Sequence, residues 1–261
     1  MPVDSFQVGR LHVEIQHSKE ALGRAAAERA AALMRGAIRE RGRARIIVGT
    51  GPSQDEVIGA LVAAPDLDWA RVEVFHMDEY VGLPAEHPAS FRRWLKTHVA
   101  GIVRPGVVHY LDESVAGAYA ELLAAAPVDV CFIGFGENGH IAFNDPHAAD
   151  FNDPVLVKRV ALDERCRRQQ VGEGHFASLS DVPPEAVTLT CPALMSAAHL
   201  ICSVPDRRKA EAVKNALEGP ITPSCPASLV RTHPDARLYL DPESAALLSP
   251  HRGAPRDPHR C

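Results

Sequence analysis

The sequence predicts an α/β protein built on an open, mainly parallel sheet with helices on both faces, and three observations carry that prediction. Short apolar runs recur at 45–49, 71–76, 130–135, 199–204 and 236–240, and runs of this kind fit strands covered on both faces. Between them lie amphipathic segments whose apolar residues return at three- and four-residue steps, the period of a helix with one buried face. Polar clusters, several of them with glycine, then follow the strands. In a doubly wound, Rossmann-like sheet the strand carboxyl ends share one edge, so these clusters can converge on a single crevice.

Residues 11–15 alternate apolar and polar in the manner of a short edge strand, and Ser18 opens an Ala-rich helix ending near Gly42. Leu22, Ala26, Ala30, Leu33 and Ala37 give it one apolar face. The run RIIVG at 45–49 reads as a buried strand, followed by Thr50, Gly51, Pro52 and Ser53 and a helix over 55–64. Unpaired backbone N–H groups and the helix dipole make such a turn an anion site in principle. The GK[ST] ending of a nucleotide loop is missing, and Gln54 stands where the third glycine of GxGxxG would be, so a nucleotide is not implied. The same residues also suit a plain βα turn.

The next strand, 71–76, ends in Met77 and the adjacent acids Asp78 and Glu79. A carboxylate at a strand end beside a sheet crevice is a common place for a general base, although two acids in a solvated turn are unremarkable. Helices are expected over 91–99 and 116–126. They lead to the central stretch VCFIGFGENGHIAFNDP, residues 130–146, where an apolar strand breaks through Gly134, Gly136 and Gly139 into Asn138, His140, Asn144 and Asp145. A histidine with a carboxylate five residues on can form a proton-transfer pair; the alternative is a Gly-rich turn holding a satisfied, buried His.

Residues 150–185 carry basic runs at Lys158–Arg159 and 165–168, then Gln169, Gln170, Gly172 and Gly174. They suit a lid-like excursion or a solvated charged face. Residues 186–190, a short helix near Met195 and a strand at 199–204 resume the α/β rhythm. Arg207, Arg208 and Lys209 open a helix running to Leu217. Cations at a helix start oppose the dipole unless an anion sits between them. A last strand at 236–240 and a short helix near 243–248 complete one domain over residues 1–248, and the Pro-, Arg- and His-rich tail at 249–261 is expected to be disordered.

The 261 residues are 46% hydrophobic and 23% charged, an ordinary globular composition. A net charge of −5 and a pI near 6.2 argue against a nucleic-acid surface while leaving room for a local positive pocket. Six cysteines, at 131, 166, 191, 202, 225 and 261, include no CxxC pair and suit reduced residues in a cytoplasmic protein. No export signal or membrane span is read from the sequence. Together the four clusters offer an anion-binding turn, a lysine, a histidine and two carboxylates, the parts for proton transfer on a small phosphorylated molecule.

MDEYVGL, HPASF, GFGENGHIAFNDP, RKAEAVKNALEGP and PASLVRTH together resemble the glucosamine-6-phosphate deaminase family, itself similar to 6-phosphogluconolactonases, with a likeness spanning roughly residues 10–248. The resemblance implies isomerisation of glucosamine 6-phosphate, or a close analogue, to fructose 6-phosphate with release of ammonia. It implies no cofactor and no metal, and a homo-oligomeric assembly. Carried over residue by residue, it makes Asp78 the base that moves a proton between C2 and C1, His140 the group assisting ring opening, and Asp145 its support. Thr50, Gly51, Ser53 and Lys209 are implied to hold the phosphate.

The chain departs from the family pattern at Asn138, where Asp is usual, at Asp145, where Glu is usual, and at Pro52 and Gln54. The family's phosphate-binding arginine has no clean counterpart; Arg165, Arg167 and Arg168 are the candidates. Three other readings stand beside the deaminase. They are a lactone hydrolase of the 6-phosphogluconolactonase type, a sugar-phosphate-binding protein whose catalysis is weakened through Asn138, and a metal-dependent hydrolase using Asp78, His87 and His140, for which the ligand spacing is poor.

Overall fold

Two sheets organise the computed structural model, which describes residues 2–250. The strands are β1 (Asp4–Val8), β2 (Leu11–Ile15), β3 (Ala44–Val48), β4 (Val72–His76), β5 (Asp78–Tyr80), β6 (Val107–His109), β7 (Val130–Ile133), β8 (Val157–Ala161), β9 (Glu185–Leu189), β10 (His199–Val204) and β11 (Ala236–Leu240). The main sheet runs β1-β2-β11-β10-β7-β3-β4-β6. All its pairings are parallel except that of β1 with β2. The open, mainly parallel sheet expected from the sequence is present.

Its near-continuous apolar strands face two cores. Ile46 and Val48 of β3 join Leu22, Ala26, Ala30 and Met34 of the helix Lys19–Arg41 on one side. Ile47, between them, joins Cys131, Leu123 and Val213 on the other. A strand sandwiched this way has no polar face, so its residues do not alternate. Ser18 caps the long helix by accepting from Ala21 N at 3.2 Å, and Gly42 ends it with φ 77° in the left-handed region, where glycine carries no steric penalty.

This helix packs so closely on the helix Asp55–Val62 that a Cβ on Gly23 would lie 2.5–2.8 Å from Glu56, backbone atoms included. Gly23→Ala would gain about 1 kcal/mol of helix propensity. It would also overpack a contact whose backbone partner cannot rotate away, at a cost of about 1–3 kcal/mol. A lower denaturation midpoint for Gly23→Ala is therefore expected in urea titration.

Several local expectations are corrected. Residues 11–15 do not form an edge strand: β1, half-exposed on its inner-facing residues, pairs outside β2, and β2 runs parallel to β11. The segment at 186–190 does not rejoin the main sheet. Its strand, β9, lies between β5 and β8 in a second, antiparallel sheet. Residues 243–248 form turns rather than a helix, because the Asp241 carboxylate accepts from Ser244 N at 2.7 Å and closes a tight local loop. The basic start at 207–209 is a single 3₁₀ turn preceding the helix Ala210–Glu218; Asp206 caps it, accepting from Arg208 N at 3.1 Å, so no external anion is needed there.

In the tail, Ser249 N donates to Glu218 Oε1 at 2.6 Å, and 251–261, with Cys261, lie outside the described residues. The five described cysteines are unpaired in disulfides, and four of them are buried. No helix among the described residues is long and apolar enough to cross a membrane.

The chain winds from β3 outward to β4 and β6, returns to β7 on the other side of β3, and continues through β10 to β11. The adjacent carboxyl ends of β3 and β7 are therefore the point where the strand order reverses, which in open α/β sheets is where ligands bind.

Candidate active site

A cleft of about 560 Å³, counting solvent at its mouth, lies over that point. Thr50, Gly51 and Ser53 line it from the loop after β3, His140 from the loop after β7, Asp78 from β5, and Lys209 from the turn after β10. Asn138 and Asp145 stand behind His140 rather than in the lining.

The loop after β3 borders the cleft from Thr50 to Ser53; Gln54 N already donates to Gly51 O at 2.9 Å, and Pro52 has no N–H. Gly51 has φ +94°, a left-handed conformation that favours glycine. Gln54 precedes the helix Asp55–Val62 without capping it through its side chain, so the first N–H groups of that helix have no side-chain acceptor from Gln54. Thr50 Oγ1 is buried with no hydrogen-bond partner. Gly134, at the end of β7, admits this loop: a Cβ there would lie 2.5 Å from Ser53 Oγ.

Lys209 is buried, and its Nζ lies 3.1 Å from Glu173 Oε1. The same oxygen accepts from Gln169 Nε2 at 2.9 Å. His175 Nε2 sits 3.7 Å from Glu173 Oε2 without a hydrogen bond, and burial pushes its imidazole below the usual histidine pKa. Gln169, Glu173 and His175 come from the segment 150–185. The helix Glu164–Gly172 turns Gln169 and Gln170 toward the cleft, and Glu173 and His175 follow it. The pair of glutamines, followed by Glu at four residues and His at six, was the available signal.

None of the three candidate arginines lines the cleft. Arg165 pairs with Glu211 at 3.1 Å and Arg168 with Glu164, both at the surface. Arg167 Nη2 donates to the carbonyls of Leu179 and Val182 and braces the loop that leads to β9. Long basic side chains on the outer turns of the helix point away from the sheet edge, which composition alone does not reveal.

Asp78 and Glu79, adjacent in β5, take opposite directions as strand residues do. Glu79 is buried and accepts from Ser90 Oγ at 2.8 Å and Arg92 N at 2.8 Å, holding the start of the helix Phe91–Leu95. Asp78 faces the cleft. Burial, and then the charge of Glu79, raise its carboxyl pKa from 3.8 to about 8, the range suited to accepting a proton near neutrality.

The loop after β7 is tight: Gly139 has φ +84° and donates its N–H to Gly136 O at 2.9 Å. His140 folds back over Gly136, where a Cβ would lie 2.2–2.4 Å from three ring atoms. His140 Nδ1 is 3.0 Å from Asp145 Oδ1. That is ion-pair distance, although the N–H direction misses hydrogen-bond alignment. Asp145 also accepts from Asn138 Nδ2 at 2.8 Å and Asp163 N at 3.2 Å. Burial alone would raise its carboxyl, but the contact with His140 and these hydrogen bonds outweigh it and hold Asp145 below the usual range.

Asp78, His87 and His140 do not assemble as a group of metal-ligating atoms among the described residues. His87 instead stacks on Phe176, with ring centroids 5.7 Å apart. The cleft therefore joins the glycine-containing loop after β3, a paired lysine, a carboxyl shifted toward neutrality and an imidazole backed by a carboxylate, a set that can hold a phosphorylated substrate and move protons on it.

Residues 17–239 match the family model described as glucosamine-6-phosphate isomerases/6-phosphogluconolactonase. The glucosamine-6-phosphate deaminase of Pseudarthrobacter chlorophenolicus is 34% identical over 212 residues, 77% of this chain and 80% of its own length. That of Bacillus cytotoxicus is 31% identical over 246 residues, 92% of this chain and 90% of its own. Among solved structures, a monomeric glucosamine-6-phosphate deaminase superposes with a TM-score of 0.81 at 25% identity, covering 90% of this chain and 99% of that one. The 6-phosphogluconolactonase of Trypanosoma brucei shares the fold, with a TM-score of 0.73 at 17% identity over 94% of this chain and all of that one. The chain belongs to the family of glucosamine-6-phosphate isomerases and 6-phosphogluconolactonases.

Proposed function

We propose that this enzyme converts glucosamine 6-phosphate, or a close amino-sugar phosphate, to fructose 6-phosphate and ammonia. The observation that supports this most directly is the placement of Asp78, with its carboxyl raised to about 8, on the same cleft as the anion-binding loop and His140.

In this reading the N–H groups of Gly51 and Ser53, the Thr50 hydroxyl and Lys209 hold the phosphate. His140, its Nδ1 turned to Asp145, exchanges a proton with the ring oxygen through Nε2 as the sugar opens. Asp78 takes the proton from C2 and returns it to C1, while the C1 carbonyl oxygen gains a proton and the C2 amine gives one up, so C1 becomes CH2OH and C2 an imine. Water then adds to the resulting C2 imine, ammonia leaves, and the ketose remains.

Lys209 is not idle before substrate arrives: a phosphate dianion has to share it with Glu173 or displace that carboxylate. A charged hydrogen bond contributes about 1.5–3 kcal/mol. Lys209→Ala is therefore expected to raise KM for the phosphorylated sugar about tenfold to a hundredfold, with unphosphorylated glucosamine a poor substrate for either form. Equal KM values with and without the phosphate would remove this site from the mechanism.

Ammonia release from amino-sugar 6-phosphates, run beside hydrolysis of 6-phosphogluconolactone, tests the whole reading. Lactone hydrolysis without ammonia release would move the chain to the family's other activity. A cytoplasmic role in breaking down N-acetylglucosamine and a homo-oligomeric assembly belong to the same proposal. Sedimentation analysis checks the assembly against the monomer described for the solved deaminase.

A further inference from the structure

Behind the cleft, the Asn138 side chain makes three hydrogen bonds. Its Oδ1 accepts from His140 N at 3.0 Å, and its Nδ2 donates to Asp145 Oδ1 at 2.8 Å and to Asp163 Oδ2 at 3.0 Å. A side-chain amide has two N–H donors, and here each serves one carboxylate. Asp163 is fixed in two further ways. Its backbone N–H donates to Asp145 Oδ2 at 3.2 Å, and its Oδ1 accepts from Cys166 N at 2.6 Å as the N-cap of the helix Glu164–Gly172. Asp163 does not line the cleft, so any role it has in the chemistry runs through other groups.

The titratable groups around the His140 ring are few. Asp145 lies on its own loop, and Cys166, within 4.8 Å of both, comes from the helix after Asp163. Burial pushes the Cys166 thiol far up, so it stays neutral. Cys225 packs against Gly139 at the back of the loop. Asp78, His175 and the Lys209–Glu173 pair stand on the walls of the same cleft. Only Asp145 and Asp163 are carboxylates joined to the His140 loop by hydrogen bonds through Asn138.

We infer that Asp163 is a positioning residue for the reaction, supplying through Asn138 a second negative charge behind His140. This rests on the isomerase reading for its kinetic consequence but not for its electrostatic one. Asp163 helps set the orientation of Asp145, to which its own N–H donates, and through Asn138 that of the loop that carries His140. It also fastens the catalytic loop to the start of the helix that brings Gln169, Gln170 and then Glu173 to the cleft. Asn138, which departs from the residue the family resemblance led one to expect, is neutral for a reason: a carboxylate there would stand within hydrogen-bond distance of two others, and one of the three would have to take up a proton.

Asp163→Asn is the informative variant, because Asn is as good an N-cap as Asp: its one carbonyl oxygen can keep the cap to Cys166 N, and the variant loses the charge together with the acceptor for Asn138. The expected result is a fall in kcat of about tenfold with KM within about twofold, because the loop that carries His140 loses a fastening point while the cleft lining stays in place. Independently of substrate, the His140 ring, identified by the resonance lost in His140→Gln, should change its chemical shift in the NMR spectrum of Asp163→Asn. Asn138→Asp alone should lose more activity, and Asn138→Asp combined with Asp163→Asn should recover part of that loss by returning the number of carboxylates to two. An unchanged His140 resonance in Asp163→Asn, or strictly additive losses in the double variant, would overturn the assignment. Absence of ammonia release from the parent, with the His140 shift intact, would overturn only the isomerase reading.

Discussion

Asp78→Asn is expected to lower turnover on glucosamine 6-phosphate by about 10² to 10⁴ while KM stays within a few-fold, because the amide keeps the shape of the carboxyl and removes the proton acceptor. The pH behaviour gives the test a second arm. A base with its carboxyl raised to about 8 is ionised in a growing fraction of molecules as pH climbs, so kcat/KM should rise with pH up to about that value in the parent, and the variant should lack this limb. Near-normal ammonia release by Asp78→Asn would place the base elsewhere.

The same shift has a consequence for stability, with a definite sign. Folding raises the Asp78 carboxyl from 3.8 to about 8, so the native state holds this proton more tightly than the unfolded chain. Its effect on stability is absent below about pH 4, grows as pH rises between those two values, and is a full penalty above about 8. At 1.36 kcal/mol per pKa unit the penalty is on the order of a few kcal/mol. Asp78→Asn should therefore denature later than the parent in mildly alkaline buffer and alongside it near pH 4. A less active but more stable variant is the pattern of a residue held in an unfavourable environment for function.

Gly136→Ala is expected to reduce kcat by about 10² or more, without unfolding the protein. The new methyl would lie 2.2–2.4 Å from three atoms of the His140 ring, so the imidazole must move by about an ångström, and misplacement on that scale costs about 10²-fold. Gly136 is not among the residues with positive φ, so alanine fits its backbone and the loss is specific to the ring. Gly134→Ala supplies the contrast. Its methyl would lie 2.5 Å from Ser53 Oγ, on the anion-binding loop, and should raise KM more than it lowers kcat. Identical kinetic patterns in the two alanine variants would show that neither glycine has the separate role its neighbours indicate.

Much of the sheet was legible because burial on both faces leaves a strand no choice but apolar residues; β3, β7 and β10 are of this kind. The strands that were not singled out are β1, β5, β6 and β8. Two lie at the edges of the main sheet and two in the small antiparallel one. Edge strands are half-solvated, and β5 and β8 contain acids and bases that sequence reasoning assigns to turns. Residues 150–185 were opaque for the same reason. Their apolar residues Val160, Leu162, Cys166, Phe176 and Val182 form a separate small core with Tyr80, Phe91 and Phe143, and no helical or strand period connects positions so far apart.

The sequence by itself determined the type of sheet and most of its helices, and it put Thr50, Gly51, Ser53, Asp78, Asn138, His140, Asp145 and Lys209 forward as candidates for its carboxyl edge. Their positions come from local pattern, since each follows an apolar run of strand length, and their expected roles come from the family resemblance. The tertiary structure alone decided what each of them touches. It turned Asp78 into the cleft and tied Glu79 to a helix start, set Glu173 against Lys209, excluded Arg165, Arg167 and Arg168 from the cleft, and placed Asp163 beside Asn138. The physical reason is that charge and hydrogen-bond partnerships act over about 3 Å in space, while the groups that meet at that distance stand 25 residues apart for Asn138 and Asp163 and 36 apart for Glu173 and Lys209.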